Sequence, residues 1–232
     1  AGLVPRPLAQ AAFAVTTVSM IAIPVLARAG RGFGRRLEAQ RLEEAEPPPA
    51  PEKGRVIVAG YGRVGQLVGE MLTRHGVSYV AIDSNPALVA AQRRADKPVY
   101  FGDTSNAEFL RRCHVDSARA LVVTLDGPRA IEAVVAAARA ERPDLTIVAR
   151  ARDARHATAL YALGVDDAVP ENFEASLQLS EAVLVDIGVP MGIVIASVHE
   201  RRDEFRKTLR RADGAAGAAS APQFRARRRT RK

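Results

Sequence analysis

Arg55–Gly65, RVIVAGYGRVG, decides how the rest of the chain is read. Arg55–Ala59 is a short run rich in Val and Ile, the composition of a buried parallel strand. Gly60, Gly62 and Gly65 follow in G-x-G-x-x-G spacing. Val64, Leu67, Val68, Met71 and Leu72 then recur at helical spacing, so a helix opens inside the glycine run with these residues as its apolar face. Gly60 is expected to make the tight turn out of the strand, Gly62 to let a pyrophosphate reach the backbone, and Gly65 to let helix and strand pack closely. Free N–H groups at the helix start favour a phosphate. A second apolar run ends at Val80-Ala81-Ile82-Asp83, which places a carboxylate about 20 residues on, where a ribose hydroxyl needs an acceptor.

Composition narrows the function classes. The chain has 232 residues, enough for one sizeable domain with appendages, and 47% are hydrophobic, enough for a real core. There is no Trp and only 5% aromatic residues, which argues against base stacking on single-stranded nucleic acid. Net charge is +8, but much of it sits at the ends: Arg28, Arg31, Arg35 and Arg36 near the start, and Arg225 to Lys232 at the finish. No nucleic-acid partner is therefore expected. Cys113 is the only cysteine, which rules out a disulfide framework and a Cys-based zinc site and fits a reducing compartment.

Leu8–Ala27, LAQAAFAVTTVSMIAIPVLA, contains no charged residue and has the length of a membrane span. A signal peptide wants positive charge before the apolar run, whereas here four arginines follow it. Those arginines put the C-terminal side in the cytoplasm. The competing reading is a buried helix of a soluble core. Residues 1–29 are thus expected to hold one transmembrane helix, and residues 30–53 a linker, basic at first and then Pro-rich and stiff (PPPAPEKG). Residue 1 is Ala rather than Met, so the chain reads as a piece of something longer.

From Arg55 onward strands and helices alternate. Strands are expected at Val77–Ile82, Lys97–Phe101, Ala118–Thr124 and Leu145–Ala149, with a short sixth at Ala168-Val169. Asn85-Pro86 starts one helix, Ser105 and Glu108 form a capping box for the next, and Asp126 and Pro128 start another. The pattern predicts an α/β, Rossmann-like doubly wound parallel sheet over residues 54–170. Phe173–Ile187 reads as an amphipathic helix broken by Gly188-Val189-Pro190, and Ile193 to about Arg211 reads as strand-like, then helical. Residues 171–212 are expected to supply crossover and dimerisation helices, with a mostly apolar contact in a homodimer. Residues 213–232 read as a disordered basic tail, with anionic membrane lipid a candidate partner.

Ligands in such a sheet sit beyond the carboxyl ends of the strands. The candidate binding residues there are Gly60, Gly62, Arg63, Val64, Gly65, Asp83, Asp103, Thr124, Arg150 and Arg152. Glycines would take phosphate, Asp83 the ribose, Asp103 the region of the base, and the arginines the remaining phosphate charge. Ser84 and Asn85 follow Asp83 where a 2′-phosphate would want a basic residue, so AMP or NAD(H) is favoured over NADP. The plainer readings are helix capping for Asp83 and Asp103, and surface ion pairing for Arg150 and Arg152. Arg63, Arg150 and Arg152 should share one crevice, and such a guanidinium cluster calls for an anion unless Asp103, Asp126 or Asp153 already neutralises it. Catalytic candidates are poor: His75, His114, His156 and His199 are scattered, Asp166-Asp167 is a loop pair, and no substrate domain follows. No catalytic residue and no metal site is expected.

VIVAGYGRVGQLVGEML, AIDSNP, YFGDTSN, IVARARD and VPENFEASLQLSEAVL together resemble the RCK, KTN or TrkA-N regulatory domain of potassium transport systems. The chain looks most like the cytosolic C-terminal domain of Kef-type glutathione-gated potassium efflux antiporters, in the monovalent cation:proton antiporter-2 group. The resemblance runs from Arg55 to roughly Arg210, and TTVSMIAIPVL resembles the last transmembrane helix of those antiporters. It implies a homodimeric, nucleotide-sensing gate for potassium:proton antiport in a bacterial inner membrane, with this domain on the cytoplasmic side and the ion-carrying membrane domain as partner. It also implies AMP or NAD(H) at the glycine motif and glutathione as a second regulatory ligand. Arg63 matches the arginine of that branch's glycine motif, and one of Arg150 and Arg152 matches an arginine implicated in ligand binding. The Pro-rich linker and the basic tail depart from the family pattern. Two other readings stay open: a membrane-tethered NAD-dependent oxidoreductase, and a regulatory subunit of a potassium channel or Trk-type uptake system.

Overall fold

The computed structural model describes residues 47–49 and 54–217, with side chains up to Arg211, and scattered positions between Gln10 and Leu26. Chain contacts divide it into Ala1–Ala45 and Glu46–Lys232. In the first unit Gln10, Thr16, Thr17, Ser19, Met20, Ala22, Ile23 and Leu26 are helical, and Met20, Ile23 and Leu26 are exposed. The rest of the expected span lies outside the described residues. Among the described residues no helix is long and apolar enough to cross a membrane. Most of the expected linker, and residues 218–232 of the expected tail, also lie outside them.

The second unit is a six-stranded parallel sheet in the order β3-β2-β1-β4-β5-β6. The strands are β1 (Val56–Ala59), β2 (Tyr79–Asp83), β3 (Val99–Phe101), β4 (Ala120–Val123), β5 (Thr146–Ala151) and β6 (Asp167–Pro170). Helices α1 (Arg63–Arg74), α2 (Pro86–Arg94), α3 (Ala107–Arg112), α4 (Pro128–Glu141) and α5 (Ala154–Ala162) connect them. Then come α6 (Glu171–Asp186) and α7 (Met191–Gly217). The expected Rossmann-like, doubly wound sheet is the one observed. Val56–Ala59 is buried throughout because β1 lies at the centre, paired with β2 on one side and β4 on the other. That central position explains its unbroken apolar run.

Four local expectations are corrected. On α1, Val68 and Leu72 pack on the core, but Val64, Leu67 and Met71 are exposed. The helix meets the sheet through Gly65 and Gly69, its two buried residues. Close approach along these small residues turns the rest of the apolar stripe outward. The Ser105–Glu108 capping box does not form. Asn106 caps α3, accepting from the Glu108 and Phe109 N–H groups, while Ser105 donates to Asp103. Ile193–Ile195 is not strand-like, because α7 is helical from Met191. Val194 and Val198, one turn apart, are buried against α6 beside Leu177, and that contact overrides β-branched propensity. Finally, α7 runs on to Gly217, past the expected boundary at 212.

The second half of α7 folds back on its own chain. Leu209 is buried, Arg206 pairs with Asp167 at 2.9 Å, and Arg210 donates to the Asp166 carbonyl at 2.6 Å. Phe205 stacks on Phe173 of α6 with ring centroids 3.7 Å apart.

Cys113 is fully buried at the C-terminal end of α3, and burial pushes its thiol up to about 12. A thiol so far above neutral pH presents almost no thiolate. It is expected to resist alkylation by iodoacetamide at pH 8 in the folded chain and to react fully in denaturant. Mass spectrometry before and after unfolding reads both states. Equal labelling would mean that the α3 region opens readily.

Candidate functional site

The site is built at the carboxyl end of β1. Gly60 takes φ +92°, a left-handed turn that L side chains rarely adopt, and donates to the Ile82 carbonyl of β2 at 2.8 Å. Tyr61 follows, and its ring is buried under α1 with its hydroxyl 2.8 Å from that of Tyr79. Burial, then the Tyr79 hydrogen bond, raises the Tyr61 phenol well above its ordinary range. A Cβ at Gly69 would come within 2.8 Å of the Tyr61 hydroxyl and 2.9 Å of that of Tyr79, so this tyrosine pair explains a glycine inside α1. The loop is therefore anchored from below by a core side chain.

Gly62 is the N-cap of α1 and brings no side-chain hydrogen bond, and the first turn carries no acidic residue. A Cβ on Gly62 would meet nothing within 4 Å. Above the loop there is thus open space facing a helix start whose N–H groups lack a side-chain acceptor. Gly65 is different: a Cβ there would lie 2.3 Å from the Gly60 carbonyl oxygen. Of the loop's other residues, Arg63 and Val64 are both exposed, and the Arg63 side chain makes no hydrogen bond or ion pair.

Asp83 closes β2 beside this loop. One carboxylate oxygen accepts from the Tyr61 N–H at 2.7 Å and the other from the Asn85 N–H at 2.8 Å. Asn85, not Asp83, caps α2. Asp83 therefore fixes the loop while keeping further acceptor capacity on each oxygen. Asp103 lies just beyond β3 and accepts from the backbone and hydroxyl of Ser105 at 2.9 and 2.7 Å. Thr124, just beyond β4, is buried, and its hydroxyl donates to the Gly60 carbonyl at 2.8 Å. Thr124 thus braces the loop from behind.

Of the two readings of the arginines, neutralisation by nearby carboxylates is the one observed for Arg150 and Arg152. Arg150 pairs with Asp126 and with Glu171, one of its Glu171 bonds measuring 2.8 Å. Hydrogen bonding to Glu171 is the main cause that holds its guanidinium above the ordinary value. Arg152 is largely exposed and pairs with Asp153 at 3.3 Å. Two of the three positive charges already have carboxylate partners. Glu171 was not singled out in the sequence, because its role depends on α6 starting directly beyond β6. Asp166 pairs with Arg139 and Asp167 with Arg206, so neither serves as half of an acid–base pair. Among the described residues no group of His, Cys, Asp and Glu is placed to hold a metal ion.

A central glycine turn in a 3-2-1-4-5-6 parallel sheet, with an acceptor carboxylate ending the neighbouring strand, defines a Rossmann-like domain. Residues 56–171 match the TrkA-N domain, half of the chain, and the chain belongs to that family. It is 32% identical over 221 residues to K(+) efflux antiporter 2, chloroplastic, of Arabidopsis thaliana, covering 94% of this chain and 19% of that protein. It is 31% identical over 194 residues to the glutathione-regulated potassium-efflux system protein KefC of Klebsiella pneumoniae, covering 84% of this chain and 29% of that one. The chain thus spans less than a third of either relative's length. Among solved structures, the C-terminal domain of Kef from Shewanella denitrificans in AMP-bound form is 29% identical. Its TM-score is 0.60, and the match covers 70% of this chain and 99% of that one.

Proposed function

We propose that the chain is the nucleotide-sensing regulatory part of a potassium:proton antiporter of the Kef type, and regulatory rather than catalytic. The observation that carries the nucleotide reading is the empty space above Gly62, at a helix start with no side-chain cap and beside Asp83. AMP or NAD(H) is the ligand: phosphate on the N–H groups of Arg63, Val64 and Gly65, ribose on Asp83, base toward Asp103. A 2′-phosphate would meet the Asp83 carboxylate, which disfavours NADP. The AMP-bound state of the Shewanella denitrificans relative supports the same choice.

In this reading residues 1–29 are the last membrane helix of the transporter and residues 30–53 the linker. Residues 54–170 form the sensing domain, 171–217 the dimerisation helices and 218–232 a basic tail near membrane lipid. The protein then works as a homodimer on the cytoplasmic side of a bacterial inner membrane, joined to its own ion-carrying domain. A ligand shifts transport only by stabilising one arrangement over another. Glutathione is the second ligand suggested by the KefC relative, but Arg63 is the one candidate arginine left without a carboxylate to receive it. Calorimetry of the purified chain with AMP, NADH and NADPH tests the reading: the first two are expected to bind and NADPH to bind least. Equal affinity for NADPH would remove Asp83 from the site.

A further inference from the structure

Arg150 occupies an unusual place for a paired arginine. It stands one residue before the end of β5, and its guanidinium reaches across two neighbouring strand ends. Nη1 lies 3.4 Å from both the Thr124 and Leu125 carbonyls beyond β4 and donates to Asp126, the next residue. Nε and Nη2 turn the other way, onto Glu171 beyond β6. The side chain is 20% exposed. The Asp126–Arg150–Glu171 bridge therefore spans the carboxyl ends of β4, β5 and β6.

The strand order reverses between β1 and β4, and a dinucleotide lies across that point. Its adenosine side belongs with Asp83 over β2, and its other nucleotide extends over β4 and β5. A mononucleotide needs only the first half. The bridge covers the second. Glu171 is also the first residue of α6, whose N-cap Pro170 offers no side-chain bond, so its carboxylate helps to hold that helix start.

Resting on the nucleotide reading above, we propose that the Asp126–Arg150–Glu171 bridge closes the dinucleotide half of the crevice. A mononucleotide such as AMP binds with the bridge intact. A dinucleotide such as NAD takes Arg150 for itself and releases Glu171 at the head of α6. Mononucleotide and dinucleotide then leave the α6–α7 hairpin in different states, and Arg150 sets both specificity and signal.

The test uses the full chain, with AMP and NAD as probes, in calorimetry and in hydrogen exchange at residues 171–176. Glu171→Gln removes one of the two carboxylates that compete with the ligand for Arg150. It is expected to tighten NAD roughly tenfold, the scale of one hydrogen bond to a charged group, and to move AMP by less than about twofold. Glu174→Gln removes another first-turn carboxylate, one paired with Arg202 rather than Arg150, and should leave the NAD-to-AMP ratio unchanged. In the wild type, NAD and not AMP should speed exchange at the start of α6, a comparison that holds even where a variant fails to fold. An unchanged ratio in Glu171→Gln, or the same exchange response to both probes, would overturn the proposal and leave the nucleotide reading standing. Failure of both probes to bind the wild type would overturn both.

Discussion

Gly65→Ala is expected to destabilise the chain by about 3 kcal/mol, the upper part of the range for overpacking a closely fitted contact. Its Cβ would sit 2.3 Å from the Gly60 carbonyl oxygen, 3.1 Å from the Gly60 carbonyl carbon and 3.0 Å from the Thr124 hydroxyl oxygen. Two of those atoms are backbone in the turn itself, and Thr124 is hydrogen-bonded to the same carbonyl, so nothing nearby yields cheaply. For a domain of this size the melting temperature should fall by roughly 6–12 °C. Gly62→Val makes the contrast. Its side chain would enter open space, so the unliganded fold should lose at most about 1 kcal/mol, the cost of a poorer N-cap. It should, however, abolish the stabilisation that AMP gives the wild type, about 2.7 kcal/mol at a hundredfold excess over the dissociation constant. Melts with and without AMP read both variants. If Gly62→Val keeps the full AMP shift, the phosphate does not lie on this loop. If Gly65→Ala melts like the wild type, helix α1 can slide away from β1 at little cost.

The two glycines look alike in the sequence and differ only in what surrounds them. The motif was legible because strand, turn and helix are local, and so was the sheet, whose strands alternate with helices at regular spacing. Asp83 was legible by its distance from the turn, but its bond to the Tyr61 N–H was not, since that depends on how β2 aligns with β1. Asp126 was legible as a carboxylate that could neutralise Arg150, because both stand at strand ends, but Glu171 was hidden for the same reason as the Asp83 bond. Glu171 lies 21 residues from Arg150 and meets it only because β5 and β6 are neighbours. The outward turn of Leu67 was hidden because helical periodicity finds an apolar stripe but not which small residues let the helix approach. The helical state of Ile193–Ile195 was hidden because its cause, contact with α6, is tertiary.

Val183→Asp is expected to convert a dimer into a monomer. On α6 and its C-cap, Leu179 (70% exposed), Val183 (53%) and Ile187 (70%) recur at four-residue spacing on one face, away from the buried Leu177. Past the Gly188 turn, Met191, Ile193 and Ile195 are exposed as well. Scattered exposed apolar residues are ordinary, but a run of this kind at one end of a domain marks a contact surface. A second copy of the chain meeting this face about a two-fold axis would bury each residue twice. Burying one such side chain contributes about 2 kcal/mol, so the substitution removes about 4 kcal/mol from the dimer, roughly a thousandfold in dissociation constant, before the cost of the carboxylate is counted. Light scattering at micromolar concentration should give twice the chain mass for the wild type and the chain mass for the variant. Leu67→Asp on α1 is the discriminating control, because α1 offers another exposed apolar stripe, Val64, Leu67 and Met71. If Leu67→Asp separates the copies and Val183→Asp does not, the dimer forms through the glycine helix. The α6–α7 hairpin would then be free to face another part of the full protein.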